Sequence, residues 1–146
     1  KKAVIIHFMK GRKTIGEYTF LKGNKSVTVH RIDIYLEGPP FFLLSKKQYK
    51  AHRSKAKEGM ELARRIALEK ECDLLILDEI LYAIKYGLIE ENELISLLKK
   101  IGSMHVILTG RYCSEKILKM ADLVSRVVGV KHYYNKKKKT VRGLDY

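Results

Sequence analysis

Asp78 and Glu79 stand side by side at the end of an unbroken aliphatic run, Leu74-Leu75-Ile76-Leu77. Four apolar residues without alternation read as a strand covered on both faces, as in the middle of a parallel sheet. The carboxyl edge of such a sheet is where open α/β folds bind ligands. Two carboxylates there suit Mg²⁺, a hard cation that takes oxygen ligands and keeps several waters. This is the pattern of a Walker B strand. A buried strand running into an acidic helix start is the other reading, because acidic side chains favour a first helical turn. The short string by itself leaves both open.

Two further strand ends carry polar chemistry. Ala3 to Phe8 (AVIIHF) is followed by the basic turn Met9-Lys10-Gly11-Arg12-Lys13. A cationic loop with a glycine suits phosphate or carboxylate binding, and it equally suits an ordinary connection. His105 to Thr109 (HVILT) reads as a third buried strand leading into Gly110-Arg111. Cys72 and Cys113 have no metal-type spacing and make no disulfide framework, so a reducing cytoplasm is the default.

The elements that must position these groups alternate. Glu17 to Leu21 fits either a short helix stopped at Gly23 or one arm of a hairpin. Ser26 to Ile34 is rich in β-branched residues and reads as a strand. Pro39-Pro40 break regular structure before Phe41-Phe42-Leu43-Leu44, an apolar cluster that either plugs the core edge or forms a binding patch. Ser45 and Gln48 match a capping box, predicting a helix to about Lys70 with Ala56, Met60, Ala63 and Ala67 as its apolar stripe. After the central strand, residues 73–77, come a helical turn over Leu81–Lys85 ended by Gly87 and a helix over Glu90–Lys100. In the latter, Leu94, Leu97, Leu98 and Ile101 share a face, with acidic residues early and lysines late. Ser114 caps a short helix to Ala121, and Leu123 to Val130 is expected as a last strand. The tail from His132 shows little periodicity.

Strands alternating with helices predict one α/β domain over residues 1–146, a three-layer fold with a parallel sheet flanked by helices. The 146 residues, 46% hydrophobic and 32% charged, suffice for one core. No apolar run reaches membrane-span length and the start is not a signal peptide. The formal charge of +14 points to a polyanionic partner or to solvated faces, with Lys136 to Lys139 the one tight run.

Taken in order, several separated stretches resemble the P-loop-type corrinoid adenosyltransferases. Phe8-Met9-Lys10-Gly11 with Gly16-Glu17 resembles that family's QF-x-KG…GE segment. Leu77-Asp78-Glu79-Ile80-Leu81-Tyr82-Ala83 with Tyr86-Gly87 resembles LDE-I-x-A…YG. Leu108-Thr109-Gly110-Arg111 resembles LTGR, and Ala121-Asp122-Leu123-Val124 resembles ADLV. Val130-Lys131-His132 and Gly143-Leu144-Asp145-Tyr146 resemble VKH…GIDY. Each is weak alone, but the set spans nearly the whole chain. There are departures. His7 stands where the family usually has glutamine, Tyr112-Cys113 replace a small-residue turn, and a lysine run replaces a glycine-containing loop. The family's Walker A string, GxxxxGK[ST], is absent from these residues. The resemblance therefore implies a RecA-like P-loop fold missing its first strand–loop–helix unit, roughly 30 residues: either the sequence begins late in the encoded protein, which is the favoured expectation, or the phosphate loop has been lost.

What the resemblance implies for function is transfer of the 5′-deoxyadenosyl group of ATP to cob(I)alamin or a related cob(I)yrinic acid derivative, releasing triphosphate. Cobalt is then the nucleophile, and the protein supplies position and charge. Asp78 and Glu79 are implied to hold Mg²⁺ and to act catalytically, Glu79 foremost. Arg111, Lys10 and Glu17 are the nucleotide-binding candidates. Phe41 and Phe42 are candidates for an apolar wedge under the corrin ring, and each fits core packing as well. His132 is not read as a cobalt ligand. A homodimer, a flavoprotein reductant and a cytoplasmic location follow from the family, with no membrane or nucleic-acid partner. Two other classes remain: a corrinoid- or nucleotide-binding protein without turnover, and a P-loop-like ATPase acting on nucleic acid. The charge supports the latter, whereas the scattered lysines and the lack of an aromatic stacking pattern do not.

Overall fold

The computed structural model describes residues 1–10, 16–32 and 43–131. Four strands, β1 (Ala3–His7), β2 (Val27–Arg31), β3 (Leu74–Asp78) and β4 (His105–Leu108), form one sheet in the order β2-β1-β3-β4. Every pairing is parallel. The helices are α1 (Gly16–Leu21), α2 (Lys46–Glu69), α3 (Ile80–Lys85), α4 (Glu91–Leu98) and α5 (Glu115–Leu118). The expected α/β class and the central place of the Leu74–Asp78 strand both hold.

Register explains the core. Val4 faces Leu75 and Ile6 faces Leu77 across the β1–β3 ladder, and side chains two apart share a face. Val4, Ile6, Phe8, Leu75 and Leu77 are all buried. Leu74 and Ile76 on the other face are only partly covered, so β3 is sealed on one side rather than on both. Burying each large aliphatic side chain contributes about 1.5–3 kcal/mol.

Local signals set α2. The Ser45 hydroxyl accepts the Gln48 N–H at 3.3 Å, and the Gln48 side chain accepts the Ser45 N–H at 3.0 Å. The far end stops at Lys70, which adopts a left-handed conformation with φ 55°. Ala56, Met60, Ala63 and Ala67 are buried as the stripe predicts. Gly59 lets the helix approach the sheet, since a Cβ there would lie 2.8 Å from both Ile32 and Phe8 side-chain carbons. The ambiguous stretch 17–21 is helical, and Gly23 follows it at φ 83°. Gly87, at φ 68°, ends the turn after α3, where the Tyr49 hydroxyl donates to the carbonyls of Tyr86 and Gly87.

Further expectations change, and the short helix expected to Ala121 ends at Leu118. The 105–109 strand is not buried: β4 pairs only with β3 among the described residues, and Ile107 is 46% exposed. An apolar strand at an edge lacks the second neighbour that would seal it. Residues 123–130 form no strand, and Val127 and Val130 are 96% and 95% exposed. β-branched composition favours a pleated surface only where a ladder partner exists, and none pairs with this segment among the described residues. The helix expected over 90–100 ends at Leu98, which leaves Lys99 and Lys100 beyond its last turn and Leu98 and Ile101 half-buried. No helix among the described residues is long and apolar enough to cross a membrane.

Candidate functional site

Parallel pairing brings the ends of β1, β3 and β4 to one rim. His7 lies opposite Asp78, and Leu77 opposite Leu108, so the residues that follow these strands converge. Asp78 sits at the centre. His7 Nδ1 lies 2.7 Å from its Oδ2, and the Thr109 hydroxyl donates to its Oδ1 at 2.8 Å. Lys10 Nζ stands 4.0 Å from Oδ2 and 3.7 Å from Glu17 Oε1. Burial raises the Asp78 pKa, but the hydrogen bonds from His7 and Thr109, helped by the Lys10 charge, outweigh it. The carboxyl is therefore held below its ordinary range and is ionised at neutral pH.

Glu79 follows in the left-handed region, φ 61°, an uncommon conformation for a non-glycine residue. Its N–H donates to the Thr109 hydroxyl at 2.9 Å. Thr109 thereby bonds both acidic residues at once. Among the described residues no hydrogen bond or ion pair engages the Glu79 carboxylate. Backbone strain of this kind concentrates at functional sites.

Gly110 takes φ 134°, and a Cβ there would lie 3.0 Å from the Leu81 Cβ and the Tyr82 nitrogen. That close approach locks the β4 exit against α3. Arg111 follows on the same rim, exposed, with no ion pair among the described residues. Beside it lies an aromatic group. The Tyr82 and Tyr86 hydroxyls are 2.9 Å apart, the Tyr112 ring lies nearly parallel to Tyr82, and Lys85 Nζ sits 4.7 Å from the Tyr112 centroid.

Asp78, Glu79, Lys10, Glu17 and Arg111 thus share one rim. Phe41, Phe42, Gly11, His132 and the Lys136–Lys139 run lie outside the described residues. Their neighbour Leu43 is 61% exposed. Two clefts, of about 250 and 340 Å³, are lined by other residues: one by Tyr18 and Val27 to Val29, the other by Lys2 to Val4 and His30. The acidic pair stands on the open rim rather than in either. His7 and Thr109 are absent from the motif candidates for a nucleotide or metal role. The signal available for them was a polar residue closing an apolar strand.

The family model of the ATP:corrinoid adenosyltransferases BtuR/CobO/CobP matches residues 1–146. The chain belongs to the ATP:corrinoid adenosyltransferase family. It is 27% identical to the corrinoid adenosyltransferase of Escherichia coli K12 over 100% of this chain and 71% of that protein. It is 28% identical to the corrinoid adenosyltransferase CobA of Salmonella typhimurium LT2, again over 100% and 71%. It is also 25% identical to the corrinoid adenosyltransferase of Pseudomonas aeruginosa PAO1, over 99% and 70%. An ATP:corrinoid adenosyltransferase is a transferase with ATP and a corrinoid as substrates.

An ATP:corrinoid adenosyltransferase must manage a polyphosphate. Among the described residues, no group of three metal-type side chains is close enough to hold an ion by itself. Mg²⁺ does not ask for one: it binds through one or two carboxylates and completes its shell with phosphates and water. The Asp78–Glu79 pair fits that demand.

Proposed function

We propose that the carboxyl rim of the sheet is where the 5′-deoxyadenosyl group passes from ATP to cob(I)alamin or a related cob(I)yrinic acid derivative. The cobalt–carbon bond forms as the bond from C5′ to the triphosphate oxygen breaks, and triphosphate leaves with the electron pair. The observation that carries this reading is the ionised Asp78, clamped by His7 and Thr109, with Glu79 next to it.

Glu79, with Asp78, would hold Mg²⁺, which when bound supplies charge neutralisation at the polyphosphate. Lys10 and Arg111 add positive charge on the same rim, and a charge that is already in place costs no reorganisation during the reaction. Glu17 orients Lys10 through their 3.7 Å contact. Phe41 and Phe42 are the proposed apolar wedge against the corrin ring. The parallel order with an acidic pair on the central strand supports a RecA-like P-loop nucleotide-binding fold in a single domain. A homodimer, a flavoprotein reductant and a cytoplasmic location belong to the same reading.

The test is direct. The full-length protein, given ATP, Mg²⁺ and chemically reduced cob(I)alamin, should form adenosylcobalamin, seen by its absorbance spectrum and photolability. No product with substrate, metal and reductant all present would defeat the proposal.

A further inference from the structure

His7 sits inside the apolar strand β1 and is 4% exposed. A histidine there needs a reason, because a buried polar group costs stability unless it is hydrogen-bonded. Its Nδ1 has a partner, Asp78 Oδ2 at 2.7 Å, 71 residues away in sequence. Its Nε2 is buried without a hydrogen-bond partner among the described residues, and the Glu17 carboxylate stops at 4.0 Å. The ring thus keeps one nitrogen unsatisfied while making one short bond to an ionised carboxylate. Such a bond requires the proton on Nδ1.

We propose that His7 is a positioning residue for the acidic pair, acting through Asp78. This rests on the metal-binding reading of Asp78 and Glu79. The Nδ1–H fixes Oδ2, and the Thr109 hydroxyl fixes Oδ1. Because each oxygen is held from a different neighbouring strand, the Asp78 side chain cannot rotate without breaking a charge-assisted bond. Thr109 passes that constraint to the Glu79 backbone through the 2.9 Å bond to its N–H. His7, Asp78, Thr109 and Glu79 form one chain of bonds across the ends of β1, β3 and β4. Partners that orient a metal ligand without touching the metal commonly set its affinity by 10–100-fold.

The experiment compares His7→Leu, which removes the donor, with His7→Asn, whose amide nitrogen stands close to the Nδ1 position. Binding of Mn²⁺ with a non-hydrolysable ATP analogue to the full-length protein is read by electron paramagnetic resonance, independently of turnover. His7→Leu should weaken Mn²⁺ binding about tenfold, and His7→Asn should restore most of it. In turnover, His7→Leu should raise the Mg²⁺ concentration for half-maximal rate and leave kcat at saturating Mg²⁺ nearly unchanged. If His7→Leu does not fold, the wild-type ring decides: its ¹⁵N pattern must show a protonated Nδ1, and a ring protonated on Nε2 alone overturns the proposal. Equal Mn²⁺ affinity in wild type and a folded His7→Leu, or an Asn variant as weak as Leu, also overturns it while leaving the metal site standing. Absence of Mn²⁺ binding by the wild type defeats both.

Discussion

The Thr109 hydroxyl donates to Asp78 at 2.8 Å across 31 residues of sequence, and the same oxygen accepts the N–H of Glu79 at 2.9 Å. One side chain just past the end of β4 thus holds Asp78, the last residue of β3, and Glu79, the residue after it. Thr109→Val keeps the shape and removes both bonds. A hydrogen bond to a charged group contributes about 1.5–3 kcal/mol, so the variant should lose that order of stability in urea titration. Thr109→Ser should recover most of it. Equal stability of the Val and Ser variants would show that the clamp contributes little.

Glu79→Gln keeps size and removes charge. Adenosyl transfer should fall by about a hundredfold, the scale of losing one charge-stabilising group. The melting temperature should stay within about 2 °C, because nothing among the described residues bonds the Glu79 carboxylate. Glu79→Gly separates backbone from side chain: φ 61° suits glycine, so this variant should be as stable as wild type or more so, and equally inactive. Undiminished turnover in either variant would remove Glu79 from the metal site.

Gly110→Ala should be costly on two counts. Its φ of 134° disfavours a side chain, and its Cβ would meet backbone at Tyr82 N and Leu81 N. Backbone atoms there cannot step aside as a side-chain tip can. A loss of about 1–3 kcal/mol is expected from thermal or urea unfolding. Activity should fall with it, since the shift moves Arg111. A neutral effect would mean that the β4 exit tolerates displacement from α3.

Acid should loosen the fold through two histidines. Burial lowers the His52 pKa, and burial first, then the Arg65 charge, lowers that of His30 against the opposing pull of Glu71. A folded-state pKa below the unfolded one means that the unfolded chain binds more protons. Stability is therefore complete above the unfolded value of about 6.5 and declines as pH falls through the folded values. Unfolding free energy measured between about pH 7 and 5 should drop, and the His30→Thr/His52→Leu variant should flatten the slope. Asp78, held below the ordinary carboxylate range, contributes its own loss only at lower pH. An unchanged slope in the double variant would place the acid sensitivity elsewhere.

The pieces legible in the chain were those whose cause is local. A capping box acts over four residues, so Ser45 and Gln48 announce α2 by themselves. An apolar run ending in Asp78-Glu79 announces both a strand and a chemistry, because strand propensity and carboxylate charge belong to the residues themselves. Recurrence of short motifs in order pointed to the family. The tertiary structure decided what depends on neighbours. HVIL reads as buried, yet among the described residues it pairs with β3 alone and stays half open, because coverage comes from the elements packed around a strand and not from composition. LVSRVVGV reads as a strand, yet it finds no ladder among the described residues. Above all, His7 and Thr109 gain their roles only when three strand ends meet, since a hydrogen bond of under 3 Å between residues 31 or 71 positions apart is set by register and not by sequence distance.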